Sequence, residues 1–157
     1  MGTMAMFLDL SVRSSACMTR GHWEHFSHPS DIGIRGVAPT KEEAFAQAAT
    51  ALTAVIADPD KVEPKQAVDI TCREDDDDML LVAWLSSLLY EMDARNMLFS
   101  RFEIELVDGG LNARAWGEPV NIEKHEPAVE VKAATYAGLE VGRDNEGNWV
   151  AQCIVDV

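Results

Sequence analysis

The strongest structural signal in this sequence is a broad apolar stripe at helical spacing. The stripe consists of Leu81, Trp84, Leu85, Leu88, Leu89 and Met92. These intervals of three and four residues are typical of an amphipathic helix that covers a sheet. Four successive aspartates at residues 75–78 directly precede the stripe. A metal cage is one interpretation of them, but the run is more simply the N-cap and negatively charged first turn of the helix.

A second helix is predicted from Thr40 onward. Thr40 and Glu43 have the spacing of a capping box. In this motif each of the two side chains accepts a hydrogen bond from the backbone N–H of the other residue at the start of the helix. The apolar face that follows consists of Ala44, Phe45, Ala48, Leu52, Val55 and Ile56. Asp58, Pro59 and Asp60 form a sequence that ends such a helix.

Strand patterns surround these two helices. Residues 32–37 form a short candidate strand, and residues 66–74 alternate apolar Val68, Ile70 and Cys72 with polar neighbours. Residues 102–106 alternate likewise, and a turn at residues 108–110 leads into a partner strand. Further strands are expected around Val129, Val131, Tyr136, Leu139 and Val141, and at residues 149–157. The predicted fold is α+β and two-layered, with two main helices packed on a mostly antiparallel sheet.

Composition narrows the classes of partner. The chain has 157 residues, and its 13 Lys and Arg against 27 Asp and Glu give a net charge of −14. Direct binding of a nucleic acid over a broad face is therefore not expected, whereas a divalent cation or a basic protein surface would be attracted. We expect a single domain over residues 21–157, preceded by a mobile N-terminal extension over residues 1–20.

The expected setting is the cytoplasm. Three cysteines are widely spaced without a Cys-x-x-Cys pair, which favours a reducing compartment. No apolar run approaches the roughly 20 residues that a membrane span needs, and residues 1–20 lack the order of charges in a secretory signal.

The motifs of common enzymes are absent from the sequence. It contains no serine nucleophile elbow, glycine-rich phosphate loop or His-Glu-x-x-His helix. Residues 144–147 faintly resemble a calcium loop, but a hairpin turn explains them better. Asp156 beside the terminal carboxylate provides two hard oxygen groups, and an Asp from elsewhere in the chain would bring a third; such donors suit calcium or magnesium. The alternative is that Asp31 caps a turn and Asp156 is a solvated end.

Several blocks in order resemble the archease family. Residues 28–34 are similar to the His-Thr-Ala-Asp-Ile-Gly motif that opens archeases, and the last two residues match a terminus of Asp followed by Ile or Val. Further similar blocks are residues 23–25, 40–45, 80–85, 117–118, 125–127 and 129–136. The resemblance covers residues 22–157.

The resemblance implies a non-catalytic, metal-binding protein cofactor. Archeases activate the RtcB-type, GTP-dependent RNA ligase of tRNA splicing and RNA repair by promoting its guanylylation and multiple turnover. The implied metal is calcium, with magnesium or manganese as alternatives, and its ligands by position are Asp31, Asp156 and Val157. Val157 would contribute main-chain or terminal oxygens. A chaperone-like role toward a nucleic-acid methyltransferase is also implied, and a small metal-dependent phosphohydrolase is a third hypothesis.

The sequence departs from the family motif at two positions. Pro29 and Ser30 occupy the places of Thr and Ala, and Pro29 removes a backbone donor from the loop before Asp31. His28 is interpreted as stabilising this turn or supporting a ligand, since oxygen-rich calcium sites seldom include imidazole. His125 and Lys132 also lie in matching blocks, and the sequence assigns neither of them a role.

Overall fold

The computed structural model describes residues 21–29 and 31–157. The extension predicted over residues 1–20 lies outside them. In chain order the elements are β1 (His22–His28), β2 (Asp31–Ala38), α1 (Lys41–Ile56), a 3-10 turn (Pro59–Lys61), β3 (Gln66–Arg73), α2 (Asp77–Arg95), β4 (Met97–Val107), β5 (Gly110–Pro119), α3 (Ile122–His125), β6 (Ala133–Ala134), β7 (Glu140–Arg143) and β8 (Trp149–Asp156).

The strands form two antiparallel sheets. The first has the order β1, β2, β8 and β6, and β7 also pairs with β8. The second has the order β3, β5 and β4. The α+β class with two main helices packed on antiparallel strands is therefore confirmed, and the strands are divided between two sheets. Helix α1 contacts strands of both.

Helix α1 begins at the predicted capping box. The Thr40 hydroxyl accepts a 3.2 Å hydrogen bond from the Glu43 backbone N–H and donates a 2.9 Å bond to the Glu43 carboxylate. The helix lies very close to β2 at Gly36, where an added Cβ would be 2.2 Å from the Ala44 carbonyl oxygen. Glycine is thus what allows the helix backbone to approach the sheet.

The aspartate run caps α2, which confirms the simpler interpretation of residues 75–78. Asp76 is the N-cap, and its carboxylate accepts a 3.0 Å bond from the Met79 backbone N–H. Asp78 accepts a 2.8 Å bond from the backbone N–H of Val141, which ties the helix start to β7. The buried Trp84 donates a 3.1 Å bond to the Phe45 carbonyl oxygen and so joins the two helices.

Two strand assignments differ from the sequence-based expectation. Residues 22–28 form β1, a full edge strand that the alternation of the sequence did not mark clearly. The strand expected around Val141 is present as β7, whereas the expectation of strand around Val129, Val131 and Tyr136 was wrong, since only the short β6 lies between α3 and β7. Most residues of β1 are exposed, so its sequence does not alternate apolar with polar residues. Strands β6 and β7 form by pairing with β8, which local patterns do not encode.

The length and apolarity of the helices bear on whether one of them could span a membrane. None of them, within residues 21–29 and 31–157, is both long and apolar enough to cross a membrane.

Candidate metal centre

Asp31 and Asp156 lie at the same end of two neighbouring strands. Asp31 begins β2 and Asp156 ends β8. The antiparallel register pairs Ile32 with Val155, and extending it by one residue sets Asp31 opposite Asp156. Directly opposite residues point to the same side of a sheet with their Cβ atoms about 5 Å apart. Two of the predicted ligand residues are therefore brought together from positions 125 residues apart in the chain.

The hairpin between β1 and β2 positions Asp31 opposite Asp156. His28, the last residue of β1, pairs with Asp31, the first residue of β2. Asp31 is therefore flanked by His28 on one side and by Asp156 on the other, and all three side chains belong to the same side of the sheet. His28 is exposed. Its interpretation as a support for the turn or for a ligand stays a prediction.

The end of the chain is held in place by two contacts. The Asp156 carbonyl oxygen accepts a 2.8 Å hydrogen bond from the Lys132 backbone N–H, and Asp156 pairs with Ala133 of β6. The Val157 side chain is partly buried against the hydrophobic core. The terminal carboxylate is thus carried by an anchored residue that directly follows Asp156.

The donors gathered here are all oxygens. The described residues contain no group of three or more His, Cys, Asp or Glu side chains that could hold a metal ion, so a site here would also need the main-chain or terminal oxygens predicted for Val157. Three anionic oxygen groups suit a hard cation such as calcium, magnesium or manganese and do not favour zinc.

A stacked pair of side chains covers the sheet beside this centre. The Phe26 ring occupies the space above Gly33, where an added Cβ would be 2.3 Å from the ring. The Arg35 guanidinium lies 4.5 Å from the centre of the same ring. It donates to Gln152 at 2.8 Å and to Glu24 at 2.9 Å, and so links β1, β2 and β8. Hydrogen bonds from His22 and then from Arg35 lower the pKa of Glu24.

A second polar cluster lies around Glu118 on β5. The buried Glu118 carboxylate accepts hydrogen bonds from Lys124 Nζ at 2.8 Å, the Glu63 backbone N–H at 2.9 Å and His125 Nε2 at 2.8 Å. These bonds, led by that from Lys124, lower the pKa of Glu118 to about 2.

This cluster explains His125, for which the sequence offered no role. Its Nδ1 accepts a 2.9 Å bond from the Asn121 backbone N–H, so a neutral imidazole carries its proton on Nε2 and donates it to Glu118. Sequence reasoning missed the partnership because Glu118 and His125 lie in separate blocks. Their arrangement is that of a closed structural network, with the imidazole fully buried and both of its nitrogens occupied.

The other acidic loop is a turn, as its sequence suggests. The Asp144 carboxylate accepts bonds from the backbone N–H groups of Glu146 at 2.9 Å and Asn148 at 3.0 Å. Gly147 adopts a φ of 83°, in the left-handed region that glycine favours. These contacts are those of a turn between β7 and β8.

Comparison with known proteins agrees with this fold. Residues 23–157 match the model of the archease protein family (MTH1598/TM1083). A protein archease of Pyrococcus furiosus is 43% identical over 139 residues, which cover 86% of this chain and 98% of the relative.

Solved structures also share this fold. The solution structure of Methanobacterium thermoautotrophicum protein 1598 superposes with a TM-score of 0.75 at 33% identity, covering 86% of this chain and 98% of that one. A crystal structure from Thermotoga maritima, described as an archease and possible chaperone, has a TM-score of 0.57 at 14% identity, covers 85% of this chain and 99% of that one, and shares the fold.

Proposed function

The chain belongs to the archease family, and from this premise we propose that it is a non-catalytic, metal-binding cofactor of an RtcB-type RNA ligase. In this role it promotes guanylylation of the ligase and its repeated turnover in tRNA splicing and RNA repair. We propose that the protein acts on the ligase in the cytoplasm.

The pairing of Asp31 opposite Asp156 is the observation that carries the proposal. Two carboxylates from the two ends of the domain share one side of a sheet, next to the last residue of the chain. Uncompensated carboxylates at such distance repel each other, and a divalent cation removes that repulsion.

The residues of the chain have separable tasks at this centre. Asp31 and Asp156 would hold the ion through their side chains, and Val157 through its main-chain or terminal oxygens. Calcium is the proposed ion, with magnesium and manganese as alternatives, and it would supply positive charge that neutralises phosphate oxygens of a nucleotide. The Lys132 N–H fixes the Asp156 backbone, and the β1–β2 hairpin fixes Asp31.

The charge of the protein supports a protein partner. A net charge of −14 repels RNA phosphates and attracts a basic surface, such as that of an enzyme that binds RNA. We therefore propose that the ligase, and not its RNA substrate, is what the chain contacts.

Multiple-turnover ligation with the cognate ligase tests the function. The wild-type chain should raise the number of RNA ends joined per ligase molecule, and Asp31→Ala and Asp156→Ala should each remove most of that gain. Glu123→Ala, an exposed residue of α3, is the matched control. Full stimulation by folded Asp31 and Asp156 variants would contradict the metal-based role.

A chaperone-like role toward a nucleic-acid methyltransferase is the second candidate. It is favoured by the description of the Thermotoga maritima protein as a possible chaperone. Suppression of methyltransferase aggregation by the chain, with no effect on ligation, would support this role and contradict the first.

A further inference from the structure

An open groove lies between α2 and the segment 129–133, and we call it the α2 groove. Its apolar part has a volume of about 240 Å³. Leu89 and Met92 of α2, Met97 of β4, Val120 and Val131 line this part. The groove continues past Asp93 and Glu130 toward Lys132 and Ala133.

The segment beside the groove is held at its two ends and unpaired between them. The Ala128 N–H donates a 2.8 Å bond to the Ile56 carbonyl oxygen, and the Lys132 N–H donates one to Asp156. Residues 129, 130 and 131 form no backbone hydrogen bond with any described residue. Residues 129 and 130 are also exposed, and an exposed stretch of unpaired backbone is what a peptide recognises through main-chain bonds.

Two carboxylates, those of Asp93 and Glu130, flank the groove, and Lys132 lies at its far end. Within the part of the chain that the structure describes, neither Asp93 nor Glu130 forms an ion pair, and both are exposed. Each faces the groove. Unpaired carboxylates on either side of an apolar floor complement an apolar side chain with a neighbouring Lys or Arg.

Large apolar side chains stand at the rim. Tyr90 is 68% exposed and Val129 is 41% exposed, and both line the groove. Exposed aromatic and aliphatic side chains around a concave site are typical of binding surfaces.

We propose that the α2 groove binds a basic, apolar-bearing peptide segment of the RNA ligase. The segment bonds to the free backbone of residues 129–131, inserts an apolar side chain onto Leu89 and Val131, and sets Lys or Arg against Asp93 and Glu130. This inference rests on the proposed function, because it names the surface by which the activator reaches the ligase.

The groove is connected to the metal centre through one residue. Lys132, at the end of the groove, donates its N–H to the carbonyl oxygen of Asp156. A ligase segment seated along residues 129–131 would therefore bring the ligase surface next to Asp156. Binding in the groove and action at the metal centre are separable by experiment.

Charge reversal in the groove tests the proposal. The double variant Asp93→Lys, Glu130→Lys should weaken the affinity for the purified ligase by about tenfold at 0.15 M salt. The control Glu105→Lys, Glu123→Lys makes the same change in net charge at exposed positions outside the groove, and its affinity should stay within about twofold of wild type. An equal loss of ligase affinity in both double variants, or no loss in either, would contradict the proposal that the α2 groove binds the ligase.

Ligation assays separate this inference from the proposed function. The groove variant should need a higher activator concentration for half-maximal stimulation and should reach the wild-type maximum at saturation. Asp31→Ala should lower the maximum itself. Failure of the wild-type chain to bind or stimulate the ligase would contradict both the proposed function and the groove proposal. A lowered maximal stimulation by the groove variant, at unchanged affinity for the ligase, would contradict the groove proposal alone.

Photo-crosslinking identifies the occupant. A benzoylphenylalanine in place of Tyr90 should crosslink to one ligase peptide that contains Lys or Arg beside an apolar residue. The same group in place of Glu105 should not label that peptide. Crosslinks from position 90 that fall only on acidic or wholly polar ligase segments would contradict the proposed chemistry.

Discussion

The backbone N–H of Lys132 donates a 2.8 Å hydrogen bond to the carbonyl oxygen of Asp156, one residue before the chain ends. This single bond joins the free segment of residues 129–131 to the strand that carries a predicted metal ligand. Together with the pairing of Asp156 with Ala133 of β6, it holds Asp156 in place, whereas terminal residues usually fray. The tail is thereby a fixed part of the sheet beside Asp31.

Calcium should stabilise the wild-type chain against heat. A ligand that binds the folded state contributes about 2.7 kcal/mol at a concentration of 100 Kd, which corresponds to a rise in Tm of about 5 to 10 °C. Asp156→Ala should abolish most of this rise, because one of two opposed carboxylates is lost. Calorimetry with and without calcium, and with Asp60→Ala as control, measures it. An equal calcium-induced rise in Tm for Asp156→Ala and Asp60→Ala would contradict a calcium site at Asp156.

Gly36→Ala should be strongly destabilising. The new Cβ would lie 2.2 Å from the Ala44 carbonyl oxygen and 2.4 Å from the Ala48 nitrogen, so α1 must move off β2. We expect the free energy of unfolding to fall by about 3 kcal/mol or more. Gly142→Ala, whose Cβ meets nothing within 4 Å, is the control and should change it by less than about 1 kcal/mol. Urea unfolding compares them.

Gly33→Ala should disturb the candidate metal centre through Phe26. Its Cβ would be 2.3 Å from the Phe26 ring, a side chain that can move, so we expect a loss of about 1 to 3 kcal/mol. Calcium affinity should fall as well, since Gly33 lies two residues from Asp31. The double variant Gly33→Ala, Phe26→Ala should lose less than the sum of the single changes. Strict additivity would show that the ring and the glycine act independently.

The free energy of unfolding should depend on pH through the Glu118 carboxylate. The pKa of Glu118 is about 2 in the folded chain against an ordinary 4.5, because Lys124, the Glu63 N–H and His125 donate to the charged carboxylate. Its contribution is therefore fully present above about pH 5 and is lost as pH falls toward 2.

Glu118→Gln should remove this acid-dependent part of stability. The variant should be less stable than wild type by about 2 to 4 kcal/mol at pH 7, and the difference should shrink on acidification. Unfolding free energies from pH 7 to pH 3 measure the effect, with the exposed Glu123→Gln as control. A difference that stays constant with pH would contradict the ionised state of Glu118.

Local chemistry was sufficient to predict the two main helices. The Thr40 capping box and the Asp76 cap act over three residues, and both appear at the predicted places. The α+β class follows from the alternation of such helices with strand patterns. The choice of Asp31, Asp156 and Val157 depended on family resemblance, and their binding of a metal stays a prediction.

Only the tertiary structure decided which distant residues meet. Strand pairing sets Asp31 opposite Asp156, and buried hydrogen bonds join Glu118 to His125. The failure of residues 129–131 to form the expected strand leaves their backbone free beside the α2 groove. Helix caps and turns are determined by neighbours in the chain, so the sequence reveals them. Sheet register and grooves depend on the summed packing of remote segments, which no local pattern records.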